Sequence, residues 1–256
     1  MYIKHLKTHP IEVGEDLIHI LNAYVPTLDE GAILAVTSKI ISLCQGRIVH
    51  KEDVNDKYTL IKQEADAYIS ENEKNMYDLY LTIINGILIP SAGIDESNGN
   101  GFFILYPKDI QATAALIWKT LRKRDNLETL GIIITDSHTT PLRRGVTGIS
   151  LGWCGFEPLY SYIGKPDIYG HDLRVTQINN LDALAAAAVL VMGEGSEQTP
   201  LALITQAPRI QFLSRPPSLE EEHKIKIPLS EDLYAPLLES VRWEPGQGQC
   251  SRIIKK

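Results

Sequence analysis

The chain has 256 residues, 44% of them hydrophobic and 22% charged, which is typical of a globular protein with one large or two small domains. Its net charge of −7 argues against a nucleic-acid partner, because such partners favour a basic face. Cys44, Cys154 and Cys250 form no CxxC pair, which argues against a disulfide framework and a zinc site. The N-terminus lacks the apolar core of a signal peptide, and the longest apolar stretch, Leu184–Met192, is far shorter than the ~20 residues that span a bilayer. We therefore expect a reduced, cytoplasmic protein with no membrane partner.

The first half of the chain carries three predicted elements. Apolar spacing predicts helices over residues 15–25 and 62–80, and the short apolar run Ile33–Thr37 predicts a buried strand.

The second half carries three more. A proline-led start at Pro107-Lys108-Asp109 and the Ala- and Leu-rich run after it predict a helix to Leu121, with Arg122-Lys123-Arg124 at its negative end. A buried strand is predicted at Gly131–Thr135. A last helix is predicted from about Asn180 to Met192, with Gly193 as its left-handed terminator. Beyond Ala207, repeated prolines and the run Glu220-Glu221-Glu222 predict a loop-rich tail that ends in the basic residues Arg252 to Lys256.

Three acidic segments each follow an apolar run. They are the turn Gly93–Asn98 with Asp95, the turn Thr135-Asp136-Ser137, and the loop Met192–Glu197 with Glu194. Carboxylate, hydroxyl and amide oxygens are the ligands that Mg²⁺ and Mn²⁺ require, so together these segments indicate a metal-phosphate enzyme. Taken singly, each is as readily an ordinary turn, because Asp, Ser, Asn and Gly also make turns.

The sequence contains no glycine-rich phosphate-binding motif. Neither a Walker A loop nor G-x-G-x-x-G occurs, and G-x-S-x-G and HExxH are absent too. A bound nucleotide would therefore be held by metals and basic side chains. Lys39, in Thr37-Ser38-Lys39 at a predicted strand end, is one candidate, with an exposed surface lysine as the alternative. Arg143-Arg144 is a second basic pair, equally compatible with a structural ion pair, and the polar segment Asp167–Leu173 is either a site loop or a connection.

Several of these segments resemble one known family in order and spacing. They are Thr37-Ser38-Lys39-Ile40-Ile41-Ser42, Ala92–Asn98, Thr135-Asp136-Ser137, Gly145 to Gly155, Asp167-Ile168-Tyr169-Gly170 and Leu190–Glu194. The pattern is similar to that of the coenzyme F420 γ-glutamyl ligases, from about His9 to Leu203. The resemblance implies residues 1–206 as a catalytic domain of two subdomains, with the tail 207–256 packing on it. It also implies an α+β fold, with two intertwined subdomains of mixed and antiparallel sheets, in a homodimer.

The activity that the resemblance implies is GTP-dependent attachment of L-glutamate to a carboxylate of the deazaflavin coenzyme, through an acyl phosphate. Two divalent ions, Mg²⁺ or Mn²⁺, would take part, with K⁺ as a further candidate ion. Asp95 and Asp136 match ligands of the first metal, and Ser137 and Glu194 match those of the second. Asp95, Asp136 and Lys39 would be catalytic. The matching nucleotide contacts are Ser38, Lys39, Asn98, Met192, Gly193, Glu194, Gly195, Ser196, Glu197, Gln198 and Thr199.

The chain departs from the family pattern mainly at positions where the family commonly has a basic residue. Leu43 stands where the family commonly has a lysine, Thr139-Thr140 replaces a Gly-Arg pair, and Leu142 replaces a tryptophan. Two alternatives therefore stay open: the same chemistry on a folate-type pterin acceptor, and a degenerate nucleotide-binding protein without turnover.

For the homodimer, the stretch Leu151–Ile163 offers Trp153, Phe156 and Tyr160 as interface anchors. The alternative is that they fill the core of the monomer.

Overall fold

The computed structural model describes residues 1–69 and 79–248. The first half contains β1 (Tyr2–Leu6), α1 (Leu17–Tyr24), β2 (Ala32–Thr37), α2 (Ser38–Cys44), β3 (Ile48–His50), α3 (Lys57–Glu64), β4 (Ala67–Ile69), β5 (Leu81–Ile84), β6 (Ile87–Pro90) and β7 (Phe102–Ile104). The second half contains α4 (Ile110–Asp125), β8 (Leu130–Thr139), β9 (Val146–Cys154), β10 (Leu159–Ser161), β11 (Gln177–Asn179), α5 (Asn180–Met192), β12 (Leu201–Thr205), α6 (Leu219–His223), α7 (Ala235–Leu238) and β13 (Trp243–Pro245).

A five-stranded mixed sheet in the order β1-β12-β2-β8-β9 is the centre of the molecule. β2 and β8 pair in parallel, with Thr37 opposite Thr135, while the other neighbours in this sheet are antiparallel. Because this register sets Thr37 beside Thr135, the residues just after them, on α2 and in the last part of β8, lie close together. This edge therefore positions the predicted lysine and aspartate segments next to each other.

Helices cover both faces of this sheet. Leu34 and Val36 of β2 face a core cluster with residues of α1, α2 and α4, while Ile33 and Ala35 face a second cluster with α5. This alternation is the period-two pattern of a strand buried on both faces. The run Ile33–Val36 thus supplies apolar side chains to two helical layers at once.

A second, antiparallel sheet has the order β13-β4-β5-β6 and its own core cluster, which includes Tyr58, Tyr68 and Tyr80. Its β5–β6 hairpin turns at Asn85-Gly86, both with positive φ, as two-residue hairpins prefer. The tail joins this sheet, because Trp243 of β13 pairs with Ile69 of β4. Two-stranded pairs β3–β7 and β10–β11 complete the described sheets.

The predicted mixture of helices with mixed and antiparallel sheets is confirmed. The strands at Ile33–Thr37 and Gly131–Thr135 and the helix Asn180–Met192 are also found. The helix predicted over 15–25 is present as Leu17–Tyr24, with the Asp16 side chain accepting from the His19 amide. The helix predicted from Asp109 continues four residues beyond Leu121, so the basic cluster lies within its last turn.

The helix predicted over 62–80 is wrong in its described part. Helix α3 ends at Glu64, and Ala67–Ile69 form β4 instead, while residues 70–78 lie outside the described residues. The strand pairs with β5, which follows it closely, and with β13, which is far away in sequence, and such tertiary pairing overrides local spacing. Cys250 and the basic end Arg252 to Lys256 also lie outside the described residues.

The end of α5 and the aromatic residues of the stretch Leu151–Ile163 differ from the predictions. Gly193 does end α5 with a positive φ of 81°, but its ψ of 173° is not the left-handed helical value that was predicted. Trp153 and Phe156 are buried in the core cluster on the α5 face, so they fill the monomer core and are not interface anchors; Tyr160 is partly exposed. No helix among the described residues is long and apolar enough to cross a membrane.

Candidate active site

A cavity of about 530 Å³ lies at the edge of the main sheet where β2 ends and β8 continues beyond it. Its walls come from α2, the turn before β7, the end of β8, the loop after α5, and the opening segment before α1. The lining residues are Thr8, His9, Pro10, Ile11, Thr37, Lys39, Ile40, Leu43, Asp95, Asn98, Asn100, Asp136, Ser137, Val189, Met192, Gly193, Glu194, Gly195, Ser196, Glu197, Gln198, Thr199 and Pro200. The polar segments singled out from the sequence thus share one cavity.

Asp95 is delivered by an unusual piece of backbone. Ser91, Ala92 and Gly93 all have positive φ, and Gly93 lies so close to the ring of Tyr106 that an added Cβ would collide with it. Only glycine combines that φ with the absence of a side chain. Asp95 then exchanges backbone hydrogen bonds of 2.9 Å with Ile104, which fixes its place beside β7.

The Asp95 carboxylate is held from two sides. Its Oδ1 accepts hydrogen bonds from the amide and the hydroxyl of Ser97, at 2.7 and 2.8 Å, and its Oδ2 lies 2.6 Å from Nζ of Lys39. Burial alone would raise the pKa of Asp95, but the Lys39 ammonium and the Ser97 donors outweigh it and hold that pKa below its usual value. Asp95 is therefore ionised at neutral pH.

Asp136 lies inside β8 rather than in a turn, which corrects the prediction for that segment. The pairing of β8 with β9 shifts between Ile134 and Thr135, and such a bulge re-aims the side chains that follow it. Burial raises the pKa of Asp136 to about 7, and the charge of Asp95 adds to the rise, while the Tyr106 hydroxyl, the Ser137 amide and Lys39 oppose it. The Tyr106 hydroxyl is itself buried beside this carboxylate without a hydrogen bond of normal geometry. The buried surroundings therefore disfavour the charged form of Asp136.

Glu194 lies on the loop that follows α5. Partial desolvation raises its pKa, Lys39 and the Ser137 hydroxyl oppose that rise, and the charges of Asp95 and Glu197 add to it. Thr8 donates its amide to the Gln198 carbonyl at 2.9 Å, and the Asn98 side chain donates to the Gly195 carbonyl at 3.0 Å. The loop is thus tied to the opening segment on one side and to the Asp95 turn on the other.

The donor set suits Mg²⁺ or Mn²⁺, because it consists of carboxylate and hydroxyl oxygens and its carboxylates are crowded together. Within residues 1–69 and 79–248, however, no three His, Cys, Asp or Glu side chains are arranged around a single point as a metal cluster. An ion here would complete its coordination with water or phosphate oxygens, as Mg²⁺ usually does.

Not every predicted residue lines the cavity. Ser38 is buried at the start of α2 and is not part of the lining. Arg143 and Arg144 are exposed between β8 and β9, and Asp167 is tied to the Tyr169 and His171 amides between β10 and β11; none of them lines it. Thr140 lies in a second cavity, of about 750 Å³, along the edge of β9. Leu43, by contrast, lines the candidate active site.

Two contributors were missed from the sequence. Tyr106 belongs to no recognisable motif. It packs against Gly93 and lies beside Asp136 only because the chain brings distant segments together. His9, Pro10 and Ile11 also line the cavity, although no motif in the sequence indicated a site there.

Known proteins are similar to this chain over most of its length. The family described as F420-0:Gamma-glutamyl ligase matches residues 5–206, which is most of the chain. The chain belongs to this family. A protein of Archaeoglobus fulgidus named coenzyme F420:L-glutamate ligase is 30% identical over 207 residues, covering 76% of this chain and 82% of that protein. Proteins of the same name from Methanosarcina mazei and Methanopyrus kandleri are 30% and 29% identical, over 76% and 74% of this chain and 81% and 80% of theirs. The protein is thus a ligase that forms a carbon–nitrogen bond.

Proposed function

We propose that this ligase joins L-glutamate to the carboxylate of coenzyme F420-0 through an amide bond, with GTP as the co-substrate. The observation that carries the proposal is the meeting of Asp95, Asp136, Glu194 and Lys39 around one cavity in a member of this family. The names of the relatives, which refer to coenzyme F420 and L-glutamate, support the choice of substrates.

A carboxylate is a poor electrophile and must be activated before an amine can attack it. In the proposed reaction an oxygen of the acceptor carboxylate attacks the γ-phosphorus of GTP, GDP leaves, and an acyl phosphate forms. The glutamate amine then attacks the acyl carbon, losing a proton, and inorganic phosphate leaves. The first step requires charge neutralisation and positioning more than covalent help from the protein. The second requires that water be kept out.

The cavity offers groups for these tasks. Asp95 and Asp136 would hold one divalent ion, and Ser137 and Glu194 the other, and such a pair of ions supplies charge neutralisation on the phosphoryl oxygens. Lys39 would bind a phosphate oxygen, and Asn98 with the loop Met192–Thr199 would surround the nucleotide. Ser38 would contribute only through its backbone, because its side chain is buried.

A folate-type pterin is the second candidate acceptor. The specific observation in its favour is Leu43, an apolar residue that lines the cavity where the family commonly has a lysine. A phosphate-release assay with GTP, Mn²⁺ and L-glutamate, run in parallel with F420-0 and with a folate, separates the two. Glutamate-dependent phosphate release with F420-0 and the mass of the amide product support the proposal. Release with the folate alone would move the assignment to the pterin, and release with neither acceptor would contradict both.

We also propose that the protein is a cytoplasmic homodimer. Two projecting hairpins carry exposed apolar side chains: Leu142 between β8 and β9, and Ile168, Tyr169 and Val175 between β10 and β11. Exposed apolar groups of this kind are often covered by another chain, and a second copy is the commonest partner of soluble proteins.

A further inference from the structure

Lys39 is the cation at the centre of the acidic cavity. Its Nζ lies 2.6 Å from Oδ2 of Asp95, and it donates to the hydroxyl and the carbonyl of Ser97 at 3.2 and 3.3 Å. An ammonium group has three N–H donors, and these three acceptors use all of them. Lys39 is therefore fully engaged within the Asp95 turn and has no donor left for a phosphate in this position.

The influence of this ammonium extends beyond its direct partner. It lowers the pKa of Asp95, and it opposes the rise in the pKa of both Asp136 and Glu194. Two other lysines near the Asp95 turn are occupied elsewhere, because Lys51, after β3, and Lys57, at the start of α3, both pair with Glu96. Lys39 is thus a shared counter-ion for Asp95, Asp136 and Glu194, three of the four carboxylates that line the cavity.

A divalent ion held by Asp95 would compete with Lys39, because the Lys39 ammonium already contacts that carboxylate. Two cations beside one carboxylate repel each other, and the repulsion is stronger in a partly buried site than in water. The long, flexible side chain of lysine allows its ammonium to move away from the turn.

We propose, building on the function proposed above, that Lys39 is a resident counter-ion that must leave Asp95 before a divalent ion binds there. In leaving, it becomes free to bind the nucleotide phosphates. Metal binding and phosphate binding are therefore coupled through one side chain: the nucleotide draws Lys39 away from Asp95 and thereby strengthens metal binding. Such coupling is reciprocal, so the metal strengthens nucleotide binding by the same factor.

The test is Mn²⁺ binding without turnover, measured from the free-ion signal in electron paramagnetic resonance. Lys39→Met keeps much of the side-chain volume and removes the charge, and Lys39→Arg keeps the charge. Lys51→Met is the matched control, because Lys51 pairs with Glu96 and does not line the cavity. Without nucleotide, we expect Lys39→Met to bind Mn²⁺ more tightly than wild type by a factor in the ~5–150-fold range typical of such coupling, with Lys39→Arg and Lys51→Met close to wild type.

With a non-hydrolysable GTP analogue, this advantage of Lys39→Met should disappear, because the wild-type lysine then faces phosphate. Equal, weaker or absent Mn²⁺ binding by Lys39→Met without nucleotide would overturn the inference, and so would the same gain in Lys51→Met. If Lys39→Met does not fold, Lys39→Gln takes its place under the same criteria. The Mn²⁺ measurement needs no acceptor, so it is independent of turnover. If Lys39→Met binds Mn²⁺ more tightly but the wild-type protein ligates no glutamate, only the proposed function is refuted. If the wild-type protein is an active ligase but Lys39→Met shows no gain in Mn²⁺ binding, only the role of Lys39 is refuted.

Discussion

Among single residues, Asp136 combines a charge that the proposed chemistry requires with buried surroundings that disfavour that charge. Asp136→Asn keeps the shape and hydrogen-bonding capacity of the side chain but removes the charge. We expect glutamate-dependent GTP cleavage to fall by about 100-fold or more, the size of loss seen when a charge-stabilising group is removed. The melting temperature without metal should stay level or rise, because carboxylate repulsion decreases. Asp29→Asn, an exposed aspartate outside the cavity, is the control and should leave turnover unchanged. Unfolding of Asp136→Asn, or full activity, would make Asp136 a structural residue.

The raised pKa of Asp136 also predicts how stability depends on pH. In the unfolded chain an aspartate titrates near 3.9, whereas burial raises the pKa of Asp136 in the folded protein to about 7. Between these values the folded state holds a proton that the unfolded state has lost, so stability decreases as pH rises through this window and levels off above it. Thermal melts in a metal chelator at pH 5 and pH 8 should show a smaller decrease for Asp136→Asn than for wild type. Equal decreases would contradict the assignment.

The sequence predicted which carboxylates lie together in the cavity better than it predicted how they are held there. Asp95, Asp136 and Glu194 could be singled out because each follows an apolar run. Such a run forms a buried strand or helix, and the residues after it lie at the edge of the core. Two features of the site could not be predicted: the burial of Ser38, and the contacts of Asp95 with Lys39 and Ser97. Both depend on how segments distant in sequence pack together.

At the scale of elements, the left-handed segment Ser91–Gly93 determines where Asp95 lies. Gly93→Ala would introduce strain at φ +68° and drive a methyl group into the ring of Tyr106. Gly164→Ala is a matched control, because Gly164 has a similar φ of +78° but open space around it. We expect Gly93→Ala to lower the free energy of unfolding by about 1–3 kcal/mol more than Gly164→Ala, the usual penalty for overpacking, and to reduce metal affinity as Asp95 shifts. Denaturant titration of both variants measures the difference, and equal losses would show that the Tyr106 contact is unimportant.

Elements defined by local periodicity were predictable, and those defined by distant partners were not. The buried strand β2 and the helix α5 have strong apolar patterns, and α5 also has the Asn179 side chain as its N-terminal cap. Strand β4 is stabilised by β5 and by β13, which lies more than 170 residues further along the chain. Its three buried residues therefore looked like part of a helix.

At the scale of the whole molecule, the projecting hairpins support the proposed homodimer. Sedimentation equilibrium at micromolar concentration should give twice the chain mass of 28.6 kDa. Ile168→Asp, on the β10–β11 hairpin, should weaken the dimer, because it would place a charge in the buried contact. The equally exposed Leu233, between α6 and α7, is the matched site, and Leu233→Asp should leave the mass unchanged. A monomeric wild type would contradict the dimer.

The central claim is that phosphoryl transfer activates the acceptor carboxylate before glutamate attacks it. The most direct measurement uses F420-0 whose carboxylate carries heavy oxygen, with GTP, Mn²⁺ and L-glutamate, and determines the mass of the phosphate released. One labelled oxygen should move from the carboxylate to phosphate for each amide formed, because the acyl phosphate shares that oxygen with both groups. Amide formation with unlabelled phosphate would contradict it.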